Sequence, residues 1–198
     1  MTTTLSPAFV DPVQESQGTF RAVMDAMARP GTIKSIGSKV AAPSPLNAAA
    51  AAVALALLDY ETPVWLDRML AARQDVVDWF RFHTGAPITS DPSRAAFAFV
   101  ADSTHAPNLE TFSPGSMEYP DRASTLVLQV DRFSADESLS LSGPGIAGIQ
   151  RLAATPLPKN FRAQLIANRA LFPRGVDVIL TTDDAVAALP RSVRVVKD

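Results

Sequence analysis

The sequence predicts one α/β domain spanning residues 1–198, with a mixed sheet between helical layers in a three-layer α/β/α arrangement. Two observations carry this. Helix-like and strand-like patterns intermix along the whole chain instead of separating into halves, as layered α/β folds require. The 198 residues, 47% of them hydrophobic, support one sizeable core, and no repeat, low-complexity tract or long linker divides them.

The elements follow in order. Asp11 is placed to cap a first helix, with Pro12 at its first position and Gln14 completing a capping box. Val13, Phe20, Val23, Met24 and Met27 recur at helical spacing, and Met24 and Met27 are expected to fill the core. Arg29-Pro30-Gly31 stops this helix. Ser44-Pro45 marks the start of a second, running to about Tyr60; it is apolar nearly all round and should be buried on most sides. Pro63 ends it, and Val64-Trp65-Leu66 reads as a short strand. A third helix is expected over Ala71 to Phe82, with Val76, Val77 and Phe80 on one face and Gly85 as its breaker. Phe97 to Val100 reads as a buried strand. Ser103 to Arg122 reads as a loop with one short helix near Leu109.

Thr125 to Val130 is a strand. Leu139 and Leu141 alternate with serines, predicting a half-exposed strand, with a hairpin partner from Ile149. Pro158 should open a helix toward Ala170 that Pro173 stops. Val176 to Leu180 is a strand, Ala185 to Leu189 a short helical turn, and Ser192 to Val196 a last strand.

Composition excludes several functions. The net charge of −2 creates no global field to draw in nucleic acid or an anionic membrane. Fourteen of the 18 basic residues are arginine, the residue suited to bidentate contact with carboxylate or phosphate. The absence of cysteine rules out disulfides, Cys-ligated iron–sulfur clusters, thiolate zinc and a Cys nucleophile in this chain. The opening MTTTLSPAFVDPV lacks the charged and apolar regions of a secretory signal, and the run from Ala48 to Leu58 is too short for a membrane span. A cytoplasmic protein is expected.

Gly143-Pro144-Gly145-Ile146-Ala147-Gly148 matches G-x-G-x-x-G. A dinucleotide site requires a helix to open directly from such a loop, with an acid about 20 residues on. The following IQRLAATPLP reads as extended, no acid stands at that distance, and Pro144 lacks one amide. A turn between antiparallel strands explains the same residues. His83 and His105, the only histidines, stand in no ligand spacing. Arg174 and Asp177 flank a tight turn entering a strand; the expectation is a local ion pair, the alternative a partner- or ligand-binding corner. A pocket for an anion built from Arg174, Arg191 and the Gly143–Gly145 turn is a further alternative.

Several segments together are similar to one family. They are DPVQESQGTFRAVMDAMARPG, LLDYETPVWL, FHTGAP, STLVLQV, LSGPGI and LFPRGVDVILTT…ALPRSVRV, in order along nearly the whole chain. The chain resembles PhnH, a subunit family of the bacterial carbon–phosphorus lyase system for phosphonate breakdown. Where members carry a Pro-Glu-x-Gly-Ala-type run, this chain has Tyr119-Pro120-Asp121-Arg122-Ala123-Ser124. The resemblance implies a reduced fold like that of pyridoxal-phosphate-dependent transferases, a homodimer, and a place in a core complex with PhnG, PhnI and PhnJ. That complex is associated with ATP-dependent formation of ribose 1-phosphonate 5-triphosphate and release of adenine, while the iron–sulfur chemistry belongs to another subunit. None of Lys34, Lys39, Lys159 and Lys197 follows a strand in a Schiff-base context, so no cofactor is expected in this chain. A stand-alone transferase and a phosphonate- or nucleotide-binding module are the rival readings.

Overall fold

The computed structural model describes residues 8–37 and 40–196; the first seven residues, Lys39 and Lys197, considered above, lie outside them. In chain order the elements are α1 (Pro12–Ala28), β1 (Lys34–Ser35), α2 (Ala48–Leu57), β2 (Val64–Leu66), α3 (Arg68–Ala71), α4 (Gln74–Thr84), β3 (Phe97–Val100), β4 (Thr125–Gln129), β5 (Arg132–Ser142), β6 (Gln150–Thr155), α5 (Phe161–Ala170), β7 (Asp177–Thr181), β8 (Ala185–Leu189) and β9 (Arg194–Val195). Short 3₁₀ turns fill the stretch between β3 and β4, one of them at Leu109–Thr111 as expected. Among the described residues no helix is long and apolar enough to cross a membrane.

The main sheet is mixed, in the order β1-β8-β7-β4-β3-β2. Strands β2, β3, β4 and β7 run parallel; β8 is antiparallel to β7, and β1 is antiparallel to β8. One face carries Phe99, Val127, Ile179 and Ala188 against α1, α2 and α4, which supply Val23, Ala26, Val53 and Phe80. The other carries Val100, Leu128, Val178 and Leu180 against Leu165 of α5. That second layer is not all helix: a three-stranded sheet, β6-β5-β9, shares it through Leu141 and Leu152. The expected α/β/α layering is therefore realised with one layer half helix and half sheet.

Several boundaries differ for identifiable reasons. Helix α2 starts at Ala48, not at Ser44-Pro45, because Asn47 caps it by accepting from the Ala50 N–H at 2.7 Å. The expected third helix is α4, which starts later, at Gln74, and is closed by Gly85 with φ +69°; a separate turn, α3, capped by Asp67, precedes it. Helix α5 begins at Phe161, after Asn160 in the left-handed region, not at Pro158. Residues 185–189 form a strand, β8, rather than a helical turn, with register Val178↔Leu189. As the middle strand of its sheet, β5 buries Ser140 (1% exposed) together with Leu141, so it is not half exposed there.

Helix α1 turns Thr19, Val23 and Ala26 inward and leaves Met27 half-buried against the core. Val13, Phe20 and Met24 face out, Met24 being 50% exposed, so Met24 is not the core filler its spacing predicts. They form an apolar strip on the outer face.

Candidate functional site

In parallel α/β sheets the crevice worth inspecting lies beyond the carboxyl ends of the strands, where successive connections leave for opposite faces. That condition is met between β2 and β3. After β2 the chain packs Leu70, Val76 and Phe80 on one face; after β3 it packs Leu109 and Phe112 on the other. Beside it, beyond the carboxyl ends of β3, β4 and β7, opens a crevice of about 430 Å³ lined by Asn47, Ala101, Asp102, Ser103, Gln129 and Asp183, among others.

Its walls are held by side chains at strand and helix ends. Asp67, directly after β2 and 6% exposed, accepts from the Leu70 N–H with Oδ1 and from the Ala101 and Asp102 N–H groups with Oδ2, at 2.9, 2.9 and 3.0 Å. One carboxylate thus caps α3 and fixes the turn leaving β3. Gln129, at the end of β4, accepts from the Asn47 N–H at 2.5 Å and donates to the Pro45 carbonyl at 2.9 Å. Asn47 donates to the Thr181 carbonyl at 3.2 Å, tying α2 to β7. These amides are satisfied internally. Their role is to fix the rim, and the signal for them was local: a cap-type residue beside an alanine run and an acid directly after a strand.

Among the described residues, three carboxylates line the crevice, Asp102, Asp131 and Asp183, and no lysine or arginine does. Its field therefore disfavours an anionic ligand such as a phosphonate or triphosphate. Asp102 holds Nδ1 of the exposed His105 at 2.7 Å and accepts from the Thr104 hydroxyl at 2.6 Å. The Thr104 hydrogen bond, and after it His105, holds the Asp102 carboxyl below the usual carboxylate range. Asp102 should thus titrate below its ordinary value, and any stability it contributes is present above the unfolded pKa and lost as pH falls through the lower folded one. Carbon-detected NMR titration should show Thr104→Val moving the Asp102 midpoint up more than His105→Ala does; the reverse order would make the imidazole the main cause. Among the described residues no group of three or more His, Asp or Glu is arranged to hold a metal ion.

The corner singled out from sequence does not hold the expected local ion pair. Asp177 pairs with Arg191, not with Arg174. The Arg191 Nη2 lies 2.5 Å from Oδ2 and its backbone N–H donates to Oδ1 at 2.7 Å, while Nη1 donates to the Pro120 carbonyl. The Arg191 guanidinium is therefore committed to the fold. Arg174 is half-buried, makes no ion pair among the described residues, and its Nε has no hydrogen-bond partner. Gly143 and Gly145 lie in the turn between β5 and β6, and the Ile146 N–H donates to the Gly143 carbonyl at 3.1 Å. No helix follows, so the glycine motif is a hairpin turn. Gly143 abuts Ser192, while Gly175, next to Arg174, abuts Arg191. The two ends of the segment 191–193 thus touch both groups, but no crevice or hollow described here is lined by any of the five residues.

Comparison with known proteins matches residues 7–196 to a family described as "Bacterial phosphonate metabolism protein (PhnH)". The chain is 42% identical over 193 residues to a protein of Rhizobium meliloti (strain 1021) named alpha-D-ribose 1-methylphosphonate 5-triphosphate synthase subunit PhnH, covering 98% of this chain and 96% of the relative. It is 38% identical over 81 residues to the putative C-P lyase subunit protein HtxG of Stutzerimonas stutzeri, 41% of this chain and 42% of that one.

Proposed function

The chain belongs to the PhnH family of bacterial phosphonate-metabolism proteins, and on that premise we propose that it works as a subunit of the carbon–phosphorus lyase complex without turnover of its own. The observation that carries this is the near full-length match to a synthase subunit at 42% identity. The step it supports is the ATP-dependent formation of ribose 1-phosphonate 5-triphosphate with release of adenine. Two features support an accessory role. The crevice at the strand ends is acid-lined, the wrong sign for a triphosphate held by this chain alone. The best-placed arginine, Arg191, is bound to Asp177. Of the candidate contacts, Arg174 is an arginine with no ion pair among the described residues, its Nε buried and unpartnered.

The same reading holds a cytoplasmic homodimer joined to PhnG, PhnI and PhnJ. The outward strip of Val13, Phe20 and Met24 on α1 is exposed and repeats at helical spacing, so it suits a two-fold contact with a second copy. It also holds a cofactor-free relative of the pyridoxal-phosphate transferase fold. In support, Lys34 sits on edge strand β1, 3.5 Å from Asp25, and neither it nor exposed Lys159 lines the crevice.

The test is co-expression of the affinity-tagged full chain with PhnG, PhnI and PhnJ, followed by native mass spectrometry. A stoichiometric complex is expected, with no turnover of ATP and methylphosphonate by the chain alone. Turnover by the isolated chain, or retrieval of a bare homodimer with folded partners present, overturns the reading.

A further inference from the structure

We propose that the hollow between α5 and the 3₁₀ turn Leu109–Thr111 seats an apolar side chain of another subunit, carried on a segment with a lysine or arginine beside it that meets Glu110. This rests on the subunit role above, and it names where and by what chemistry the partner is held.

The hollow measures about 470 Å³. It exists because α5 presents Ala163 and Ala167 there, one turn apart, and small residues leave a trough. Leu109, Phe112, Leu171 and Val176 complete its apolar wall. Three amide side chains line it: Asn108 is exposed at the rim, and the two on α5 are occupied. Gln164 accepts from the Leu109 N–H at 3.0 Å and donates to the Lys159 carbonyl at 3.1 Å. Asn168 donates to the Val176 carbonyl at 2.9 Å and accepts from its N–H at 2.8 Å. A polar small molecule gains little from amides already paired, whereas an apolar side chain gains by leaving water.

Glu110 supplies the sign. It is the one ionisable residue of the lining, is exposed, and makes no ion pair among the described residues. A cation next to the apolar anchor would be paired, and an acid would be repelled. Centred on a two-fold axis the hollow would face hollow and Glu110 would face Glu110, filling neither; seating by a different part of a second copy is the rival outcome that the homodimer readout distinguishes. A protruding side chain from a different subunit fills it, and anchors seated in such pockets dominate interface energies.

The test uses the tagged full chain co-expressed with PhnG, PhnI and PhnJ. Ala167→Trp fills the hollow from an exposed position; Glu110→Lys reverses the charge at its rim. Ala167→Trp is expected to lower partner retention at least tenfold. Glu110→Lys should lower it several-fold, with the loss shrinking as salt is raised. Both should keep the wild-type urea midpoint and homodimer. Retention of all partners by Ala167→Trp overturns the proposal, as does loss of the homodimer on its own, which would seat a second copy there. Should tryptophan disturb folding, Glu110→Lys decides: unchanged retention overturns the proposal. Wild-type chain that retrieves no partner overturns the subunit role itself, a different result from wild-type retrieval that the variants leave intact.

Discussion

Arg191→Ala is expected to destabilise the fold by about 3 kcal/mol, the lower end of what breaking a buried ion pair costs. The pair is mostly enclosed, with the Arg191 and Asp177 side chains 16% and 12% exposed. Arg191 also joins three places at once. Its Nε and Nη2 hold the carboxylate at the start of β7, its own position follows β8, and its Nη1 holds the Pro120 carbonyl ahead of β4. Removal leaves Asp177 with the residue-191 amide and no cation, in a site largely shut from water. Arg191→Lys should recover little, because an ammonium cannot reproduce the fork. Asp177→Leu with Arg191→Met should come back to within about 1 kcal/mol of wild type, since a hydrophobic pair of similar volume often replaces a buried ion pair without loss. Urea unfolding is the measurement, read as a lower midpoint at unchanged slope. A loss under about 1 kcal/mol would place the pair among solvent-screened surface bridges.

That pair shows what the sequence withheld. Asp177 has Arg174 close by in the chain, and proximity along a turn favours the wrong partner. The right one follows from hairpin register: Val178 pairs with Leu189, so the residue before Val178 faces the residues after Leu189. The register was hidden because AVAAL reads as helical by propensity. Alanine is the best helix former, yet here it serves a buried strand lying against α1, where Ala188 shares a core with Val23 and Ala26. Tertiary packing overrode local preference.

Helix α1 failed in a second way. Its caps at Asp11 and Pro12 were legible because capping is local chemistry. Which face turns inward was not, because the helix is apolar on two sides and only its neighbours choose between them. Strands β2, β3, β4 and β7 were legible because near-continuous apolar runs are what a sheet covered on both faces needs. The crevice was not, since Asn47, Asp102, Gln129 and Asp183 lie far apart in sequence and meet only through strand order.

Gly145→Ala is expected to cost about 2 kcal/mol more than Gly148→Ala, the typical penalty of overpacking a filled site. Both glycines have positive φ, +78° and +82°, so both substitutions carry the left-handed cost of about 1–2 kcal/mol. They differ in space. A Cβ at Gly148 meets nothing within 4 Å, whereas one at Gly145 falls 1.9 Å from the Ala28 carbonyl oxygen and 3.2 Å from Pro30 Cδ. The end of α1 and the hairpin turn are interlocked, and a second, less severe contact backs this up: a Cβ at Gly31 would lie 2.8 Å from Gln150 Cγ and 2.9 Å from Leu141 Cδ1. Gly31 also donates to the Ala188 carbonyl at 3.2 Å, so prising the turn away loads the edge of the main sheet. Thermal and urea unfolding of the two variants separates the explanations. Equal losses would mean that the turn swings clear and its glycines serve conformation alone. A larger loss at Gly145 means that the space a phosphate-cradling loop would keep open is already taken by the backbone of α1, and that the motif's glycine is there to let two turns touch.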